Sequence, residues 1–246
     1  MIQANPDARL MEQALRMTRG FAPWSPQALG LLVSASHVGR YVQGGVVMAE
    51  PSTHAFTIVS GNAVAGYRSA DGTHRMVALL GPGLVVGLAR ALSGRNDAAF
   101  DFTANTDVVA VHVPIALLFE ILDREPELWN SMARMLLRQH RESFDAMAGH
   151  VVGPIRQRLA TTIERSAELY GCRSTGKADI RLRLKQEDLA AILHVSRQTV
   201  NQELNSLSAS GVVRLERQTV VVLDLAELRE ISRPCKQRKA LPTTSR

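Results

Sequence analysis

The chain has 246 residues, a formal net charge of +6 at pH 7 and an isoelectric point near 9.9. This length suits two modest domains, and the basic balance favours a polyanionic partner without distinguishing DNA from RNA or anionic lipid. Neither the start of the chain nor its longest apolar stretch, 76–89, fits a signal peptide or a membrane span, so a cytoplasmic protein without membrane contact is expected.

The first half of the chain predicts helices followed by short strands. Residues 6–36 form helical pieces broken by the turn Ala22-Pro23-Trp24-Ser25-Pro26. Apolar and β-branched runs then alternate with turn residues about every eight to twelve positions, which is typical of a β-roll of the jelly-roll, or double-stranded β-helix, type. The predicted strands cover residues 38–42, 46–49, 55–60, 63–69, 74–80, 84–88, 100–104 and 108–113.

A long amphipathic helix is predicted over residues 126–147, with an apolar stripe on one side and charged residues on the other. The stripe can cover the roll or pack on a second copy of the chain, and its place between two domains favours dimerisation. The residues assigned to this dimer helix are Leu128, Met132, Met135, Leu136, Gln139 and Ser143, and the stripe continues through Ala146 and Met147. Gly149, Gly153 and Pro154 then predict a hinge.

Residues 181–225 are the most informative segment. Leu189, Ile192 and Leu193 recur at helical spacing, and His194-Val195-Ser196 forms a turn in which Ser196 is a good N-cap for a second helix. In that second helix Val200, Leu204 and Leu207 share one face, whereas Arg197, Gln198, Asn201, Gln202 and Asn205 lie opposite. Arginine suits guanine and the amides suit adenine, so this face predicts base reading in the major groove.

Two β-branched runs, 212–215 and 219–223, follow the second helix and are separated by Glu216-Arg217-Gln218. They complete the pattern of a winged helix-turn-helix, with Arg217 at the tip of the wing, within reach of a phosphate or the flanking minor groove. The residues predicted to contact double-stranded DNA are Ser196, Arg197, Gln198, Thr199, Asn201, Gln202 and Arg217.

These segments together predict an α+β fold in four parts. The parts are the N-terminal helices and β-roll sensor domain over 1–125, the dimerisation helix and hinge over 126–153, the winged helix-turn-helix DNA-binding domain over 154–232, and a basic flexible tail over 233–246.

Roll, long helix, hinge and winged helix, in that order, resemble the Crp/Fnr family of bacterial transcription regulators over about residues 37–225. The resemblance rests on Val59-Ser60-Gly61-Asn62-Ala63-Val64, on Leu80-Gly81-Pro82-Gly83-Leu84-Val85-Val86-Gly87 and above all on Val195-Ser196-Arg197-Gln198-Thr199-Val200. It implies a homodimer joined along the long helix, two recognition helices in successive major grooves of a near-palindromic site, RNA polymerase as a partner, and an effector bound in the roll.

The resemblance breaks where family members that bind cyclic nucleotides hold the ribose and the phosphate. They carry a Glu and an Arg followed by Ser or Thr, whereas this chain has Leu88 and Ala98-Ala99. A buried cyclic phosphate without its guanidinium loses a charge-assisted contact, so cyclic AMP is not expected to be the effector. Arg95 lies in the same segment, and Phe144 predicts a filled base site. The residues assigned to the effector pocket are Leu88, Arg90, Ala98, Ala99, Ser143 and Phe144.

The base-reading face also departs from the best-known members of the family. Arg197 matches, but Gln198 and Gln202 stand where those members have Glu and a second Arg, so a different half-site is expected. His194 replaces the Gly common in the turn, which is tolerable because His adopts left-handed backbone more readily than most residues.

Other sensor chemistries of the family lack support, so no cofactor and no metal is predicted. The iron-sulfur branch uses an N-terminal cysteine cluster, but the two cysteines here are Cys172 and Cys235, without CxxC spacing. A haem needs an axial ligand. The candidates His37, His54, His74, His112 and His140 have no diagnostic spacing.

Two other functions remain as alternatives. A module that regulates a protein partner through the roll would leave the winged helix unexplained. A metal-dependent cupin enzyme needs clustered ligands, whereas Gly72-Thr73-His74-Arg75 offers one His. The sequence therefore favours a regulator over an enzyme.

Overall fold

The computed structural model describes residues 6–49, 51–68, 74–94, 99–173 and 179–233. The chain divides into two compact units, Met1–Glu142 and Ser143–Arg246. The division falls inside the longest helix, α5, so the four-part division made from the sequence stays a prediction. Arg95, Ala98, Cys235 and the tail residues 234–246 lie outside the described residues.

Unit 1 begins with two helices, α1 (Pro6–Met17) and α2 (Pro26–Ala35), at the place that the sequence predicts. The Ser25 hydroxyl caps α2 by accepting a hydrogen bond of 3.1 Å from the backbone N–H of Ala28. Pro26 occupies the first turn, where its missing N–H removes no helical hydrogen bond.

A β-roll follows, as predicted. Its described strands are β1 (His37–Tyr41), β2 (Val46–Ala49), β3 (His54–Ser60), β4 (Ala63–Arg68), β5 (His74–Leu80), β6 (Val85–Val86), β7 (Ala99–Ala104) and β8 (Val108–Pro114). They form two antiparallel sheets in the orders β1-β8-β3-β6 and β2-β7-β4-β5. The predicted strand 84–88 is wrong beyond Val86, because Gly87 turns the chain at φ +99° and Leu88 starts the helix α3 (Leu88–Ser93).

The Gly61-Asn62 turn ties two hairpins of the roll together. Gly61 has φ +80°, and a Cβ there would lie 2.0 Å from the Asp107 carbonyl oxygen, so only glycine fits. The Asn62 backbone carbonyl accepts from the N–H groups of Asn105 and Thr106, and its side-chain oxygen accepts from the Asn105 amide at 2.8 Å. The β3–β4 turn is therefore fastened to the β7–β8 turn.

The helix α4 (Ile115–Arg124) and the first part of α5 (Leu128–Val151) close unit 1 over the first sheet. Ser131 donates to the carbonyl oxygen of Gly20 at 2.8 Å, and a Cβ on Gly20 would meet Met135 at 2.6 Å, so the helix packs closely against this turn. Met132 is 1 % exposed in the same core, which also buries Leu128 and Met135.

This packing corrects part of the predicted dimer helix. Leu128, Met132 and Met135 are buried inside unit 1 and are not available to a second copy of the chain. Further along α5 a different face carries large exposed apolar side chains, namely Leu137, Phe144, Met147 and Val151. The predicted break of the helix at Gly149 is wrong, since α5 continues through Gly149 to Val151. The helical path ends at Gly153, whose φ is +102°, and the hinge itself stays a prediction.

Unit 2 contains the predicted helix-turn-helix and wing within a larger scaffold. Its elements after α5 are α6 (Ile155–Tyr170), β9 (Cys172–Arg173), β10 (Ile180–Arg183), α7 (Gln186–Leu193), α8 (Arg197–Ala209), β11 (Val213–Glu216), β12 (Thr219–Val222) and α9 (Leu225–Ser232). The wing strands belong to a sheet of order β11-β12-β10-β9, and α6 packs on α9. None of the described helices has the length and apolarity that a bilayer span requires.

Candidate nucleic-acid interface

The turn between α7 and α8 fixes where the second helix begins. His194 ends α7 in the left-handed conformation, at φ 52° and ψ 46°, as its place in the turn predicts. The Ser196 hydroxyl accepts from the backbone N–H of Thr199 at 3.1 Å, which confirms the predicted N-cap. The first turn of α8 contains no acidic residue, so its positive helix end is not neutralised within the helix.

The two faces of α8 are as different as the sequence predicts. Val200, Leu204 and Leu207 are fully buried and hold the helix on the domain core. The opposite face is exposed and carries Arg197, Gln198, Asn201, Gln202 and Asn205. These side chains offer both hydrogen-bond donors and hydrogen-bond acceptors to a binding partner.

The first turn of α7 contacts this exposed face. The Glu187 carboxylate lies 3.2 Å from Nη1 of Arg197, and Gln186 donates to the side-chain oxygen of Asn201 at 3.1 Å. Neither contact is predictable from the sequence, because the partners are ten or more positions apart and meet only where α7 crosses α8. The periodicity of a single helix gives no signal for such a pair.

A groove of about 310 Å³ runs between α7, α8 and the wing. Arg197 lines it from α8, and Arg217 lines it from the turn of the wing. Lys185, at the start of α7, adds a third basic side chain to the wall. The structure thus brings together the two arginines that the sequence assigned to DNA contact.

Arginines also surround the acid at the end of the wing. Glu216 accepts from Arg181 and lies 3.5 Å from Arg214, and the hydrogen bond from Arg181 holds the pKa of Glu216 below its ordinary value. The hairpin turn beyond it is two residues long, Arg217-Gln218, one shorter than predicted, with Gln218 at φ +57°. The wing therefore presents Arg217 beside a carboxylate whose charge is compensated.

Arg158 on α6 joins the end of α5 to the helix-turn-helix within unit 2. Its Nε donates to the His150 carbonyl oxygen at 2.6 Å, and its Nη2 donates to the Leu193 carbonyl oxygen. Both carbonyls lie at helix C-termini, where a cation is favourable. Burial, aided by Arg165, Arg158 and His194, lowers the pKa of His150 to about 4.

The residues assigned to the effector pocket belong to several elements, and their assignment to a pocket stays a prediction. Leu88 is buried in the hydrophobic core of unit 1, and Arg90 lies on α3. Ala99 begins β7. Ser143 is exposed on α5, and Phe144 is 56 % exposed there.

Three of the histidines considered singly in the sequence meet on the first sheet of unit 1. The ring of His37 stacks on that of His112 at 4.8 Å and approaches that of His54 at 5.5 Å. The Tyr41 hydroxyl hydrogen-bonds Nε2 of His112 at 2.7 Å. Burial, with smaller effects from His37 and His54, lowers the pKa of His112 to about 4. Within the described ranges, no group of three or more His, Cys, Asp or Glu is arranged to hold a metal ion.

Comparison with known proteins finds similarity to transcription regulators. A family model described as a Crp-like helix-turn-helix domain matches residues 132–231. The chain is 26 % identical over 220 residues to the CRP-like cAMP-activated global transcriptional regulator of Mycobacterium tuberculosis, covering 89 % of this chain and 98 % of the relative. It is 28 % identical over 179 residues to the transcriptional activator protein FnrL of Cereibacter sphaeroides, covering 71 % of each.

A solved structure has the same fold. A transcriptional regulator of the CRP/FNR family from Thermus thermophilus aligns with a TM-score of 0.63 at 21 % identity, covering 80 % of this chain and 98 % of the other.

Proposed function

Because this chain belongs to the Crp/Fnr family of DNA-binding transcription regulators, we propose that it acts as a cytoplasmic homodimer on a near-palindromic DNA site. The observation that carries the proposal is the exposed face of α8, which begins at a capped N-terminus and bears one arginine and four amides. A helix of this chemistry fits the major groove, where base edges present distinct patterns of donors and acceptors.

Each predicted contact residue takes a separate role in this proposal. Arg197 reads a guanine through two parallel hydrogen bonds, and Gln198, Asn201 and Gln202 read its neighbours. Ser196 and Thr199, at the helix N-terminus, bind a phosphate. Arg217 binds the DNA backbone beside the major groove, since Arg217 and Arg197 line the same groove of the protein.

The proposed dimer uses the exposed face of α5 defined by Leu137, Phe144, Met147 and Val151, called here the α5 seam. Leu137, Phe144 and Val151 are seven residues apart and Met147 lies three after Phe144, which is the spacing of a coiled-coil interface. All four are large, apolar and exposed in the single chain. A second copy would remove this surface from water, and it would place two α8 helices on one duplex.

We further propose that cyclic AMP does not control this protein. The relative from M. tuberculosis is cAMP-activated by name. Here Leu88 stands where the family resemblance expects the ribose carboxylate, and its side chain lies in the core of unit 1. The protein then binds DNA constitutively or answers another ligand, and it acts on transcription through RNA polymerase.

Selection from a randomised library of DNA duplexes tests the assignment of α8. The wild-type protein should recover a near-palindromic site, and its binding should weaken steeply with added salt. Arg197→Ala should cost about 1–3 kcal/mol on that site and relax the preference for one guanine in each half-site.

Arg124→Ala is the matched control, because Arg124 is an exposed arginine on α4 of unit 1 that also pairs with a glutamate. It should leave the selected sequence unchanged. If Arg197→Ala keeps wild-type affinity and sequence preference, the recognition assignment is wrong.

A further inference from the structure

The first turn of α7 places a carboxylate against the arginine that begins the reading helix. We propose that Glu187 is a specificity-determining residue, which lowers the affinity of Arg197 for phosphates while leaving it able to read a guanine. The inference rests on the proposed function of α8 and adds to it a residue outside the recognition helix.

The geometry supports a specific pairing. Oε1 of Glu187 lies 3.2 Å from Nη1 of Arg197, and each side chain is 66 % exposed. Both residues line the groove between α7, α8 and the wing. The preceding residue, Gln186, holds Asn201 in the same way through its 3.1 Å hydrogen bond. One turn of α7 therefore contacts two of the side chains proposed to read bases.

The pairing affects phosphates and bases differently. A phosphate attracts an arginine chiefly by charge, and a carboxylate at 3.2 Å compensates that charge and repels the phosphate itself. A guanine attracts the same arginine through two directed hydrogen bonds. A guanidinium has five N–H donors, so it can hold Glu187 at Nη1 and present another edge to guanine O6 and N7.

Removing the carboxylate should consequently strengthen non-specific complexes with DNA more than the sequence-specific complex. In the specific complex, the loss of orientation of Arg197 offsets the loss of repulsion. In a non-specific complex only the repulsion is lost. For Glu187→Gln we expect non-specific binding to tighten about 3- to 10-fold, a modest change because the charges are exposed and screened by salt. The salt dependence of this binding should steepen by roughly one counterion, because Arg197 becomes free to neutralise a phosphate.

The experiment compares two duplexes, one recovered by selection with the wild-type protein and one of scrambled sequence. Glu187→Gln should bind the scrambled duplex about 3- to 10-fold more tightly and the selected duplex within about 2-fold of wild type, so the specificity ratio falls. Glu120→Gln is the matched control, since Glu120 is an exposed glutamate paired with Arg124 in unit 1 and its loss changes net charge equally. It should leave the ratio unchanged.

A double variant separates action through Arg197 from bulk charge. In an Arg197→Ala background, Glu187→Gln should no longer lower the specificity ratio, because the arginine that it controls is absent. An unchanged ratio in the single variant, or an equal fall in the Glu120 control, overturns the inference while α8 remains the reading helix. A wild-type protein without sequence preference on any duplex overturns the proposed function and this inference together.

Discussion

At the scale of single residues, the charge state of His112 is set by its surroundings in unit 1. The side chain is 5 % exposed, stacks on His37, and lies near His54. The Tyr41 hydroxyl hydrogen-bonds its Nε2. Burial lowers its pKa to about 4, from an ordinary value of 6.5, so the folded protein keeps this imidazole neutral.

The neutral His112 predicts an acid-sensitive unit 1. Because the folded pKa lies below the unfolded one, the unfolded state takes up the proton first as pH falls. The contribution of neutral His112 to the free energy of unfolding, about 1–3 kcal/mol, is present above pH 6.5 and is lost as pH falls towards 4. Denaturant unfolding at pH 7 and pH 5, followed by tryptophan fluorescence, reports on unit 1 because both tryptophans, Trp24 and Trp129, lie there.

His112→Gln should be less stable than wild type at pH 7 and should lose less stability between pH 7 and pH 5. His140→Gln, which removes an exposed histidine on α5, is the control and should keep the wild-type pH dependence. A wild-type pH dependence in the His112 variant would show that another group carries the acid sensitivity.

At the scale of elements, α5 has two apolar faces with different uses. Its first part buries Leu128, Met132 and Met135 under the turn at Gly20, and its second part exposes the α5 seam. A sequence stripe that runs through both parts cannot distinguish them, because hydrophobic periodicity reports that a face is apolar and not what covers it.

The seam predicts where a charge breaks the proposed dimer. Leu137→Glu combined with Phe144→Glu should give a monomer at micromolar concentration by light scattering and weaken DNA binding, since two carboxylates would have to lose water in the interface. Arg138→Glu, on the other side of the helix, should stay dimeric.

Met132→Glu should act differently, because Met132 is buried within one chain. It should lower thermal stability through an unpaired buried charge rather than dissociate a folded dimer. A seam variant that remains dimeric would rule out this interface.

At the scale of the whole molecule, the sensor and DNA-binding parts can be tested together with candidate effectors. Isothermal calorimetry with cyclic AMP and with cyclic GMP should show no saturable binding at low micromolar concentration, because Leu88 supplies no acceptor for a ribose hydroxyl. Neither nucleotide should tighten binding to the selected duplex. The cAMP-activated relative from M. tuberculosis is the positive control. Saturable binding coupled to tighter DNA binding would contradict the proposal and assign the anion to other side chains of this unit.

The local pattern of the sequence was enough to determine the order and type of many elements. The turns at Gly61-Asn62 and Gly81-Pro82-Gly83, with alternating strands between them, predicted the roll because such turns and strands depend on neighbouring residues. The Ser196 cap and the two faces of α8 were predicted for the same reason. The helices α6 (Ile155–Tyr170) and α9 (Leu225–Ser232) are not among the predicted elements.

Tertiary structure alone decided what depends on residues distant in the chain. It placed Met132 in the core and Phe144 on the surface, and it carried α5 through Gly149, where helical packing outweighs the modest cost of one glycine. It stacked His37 on His112 across neighbouring strands and brought Glu187 to Arg197. Strand register and the crossing of helices determine which side chains of different elements meet. Neither can be derived from the periodicity of a single segment.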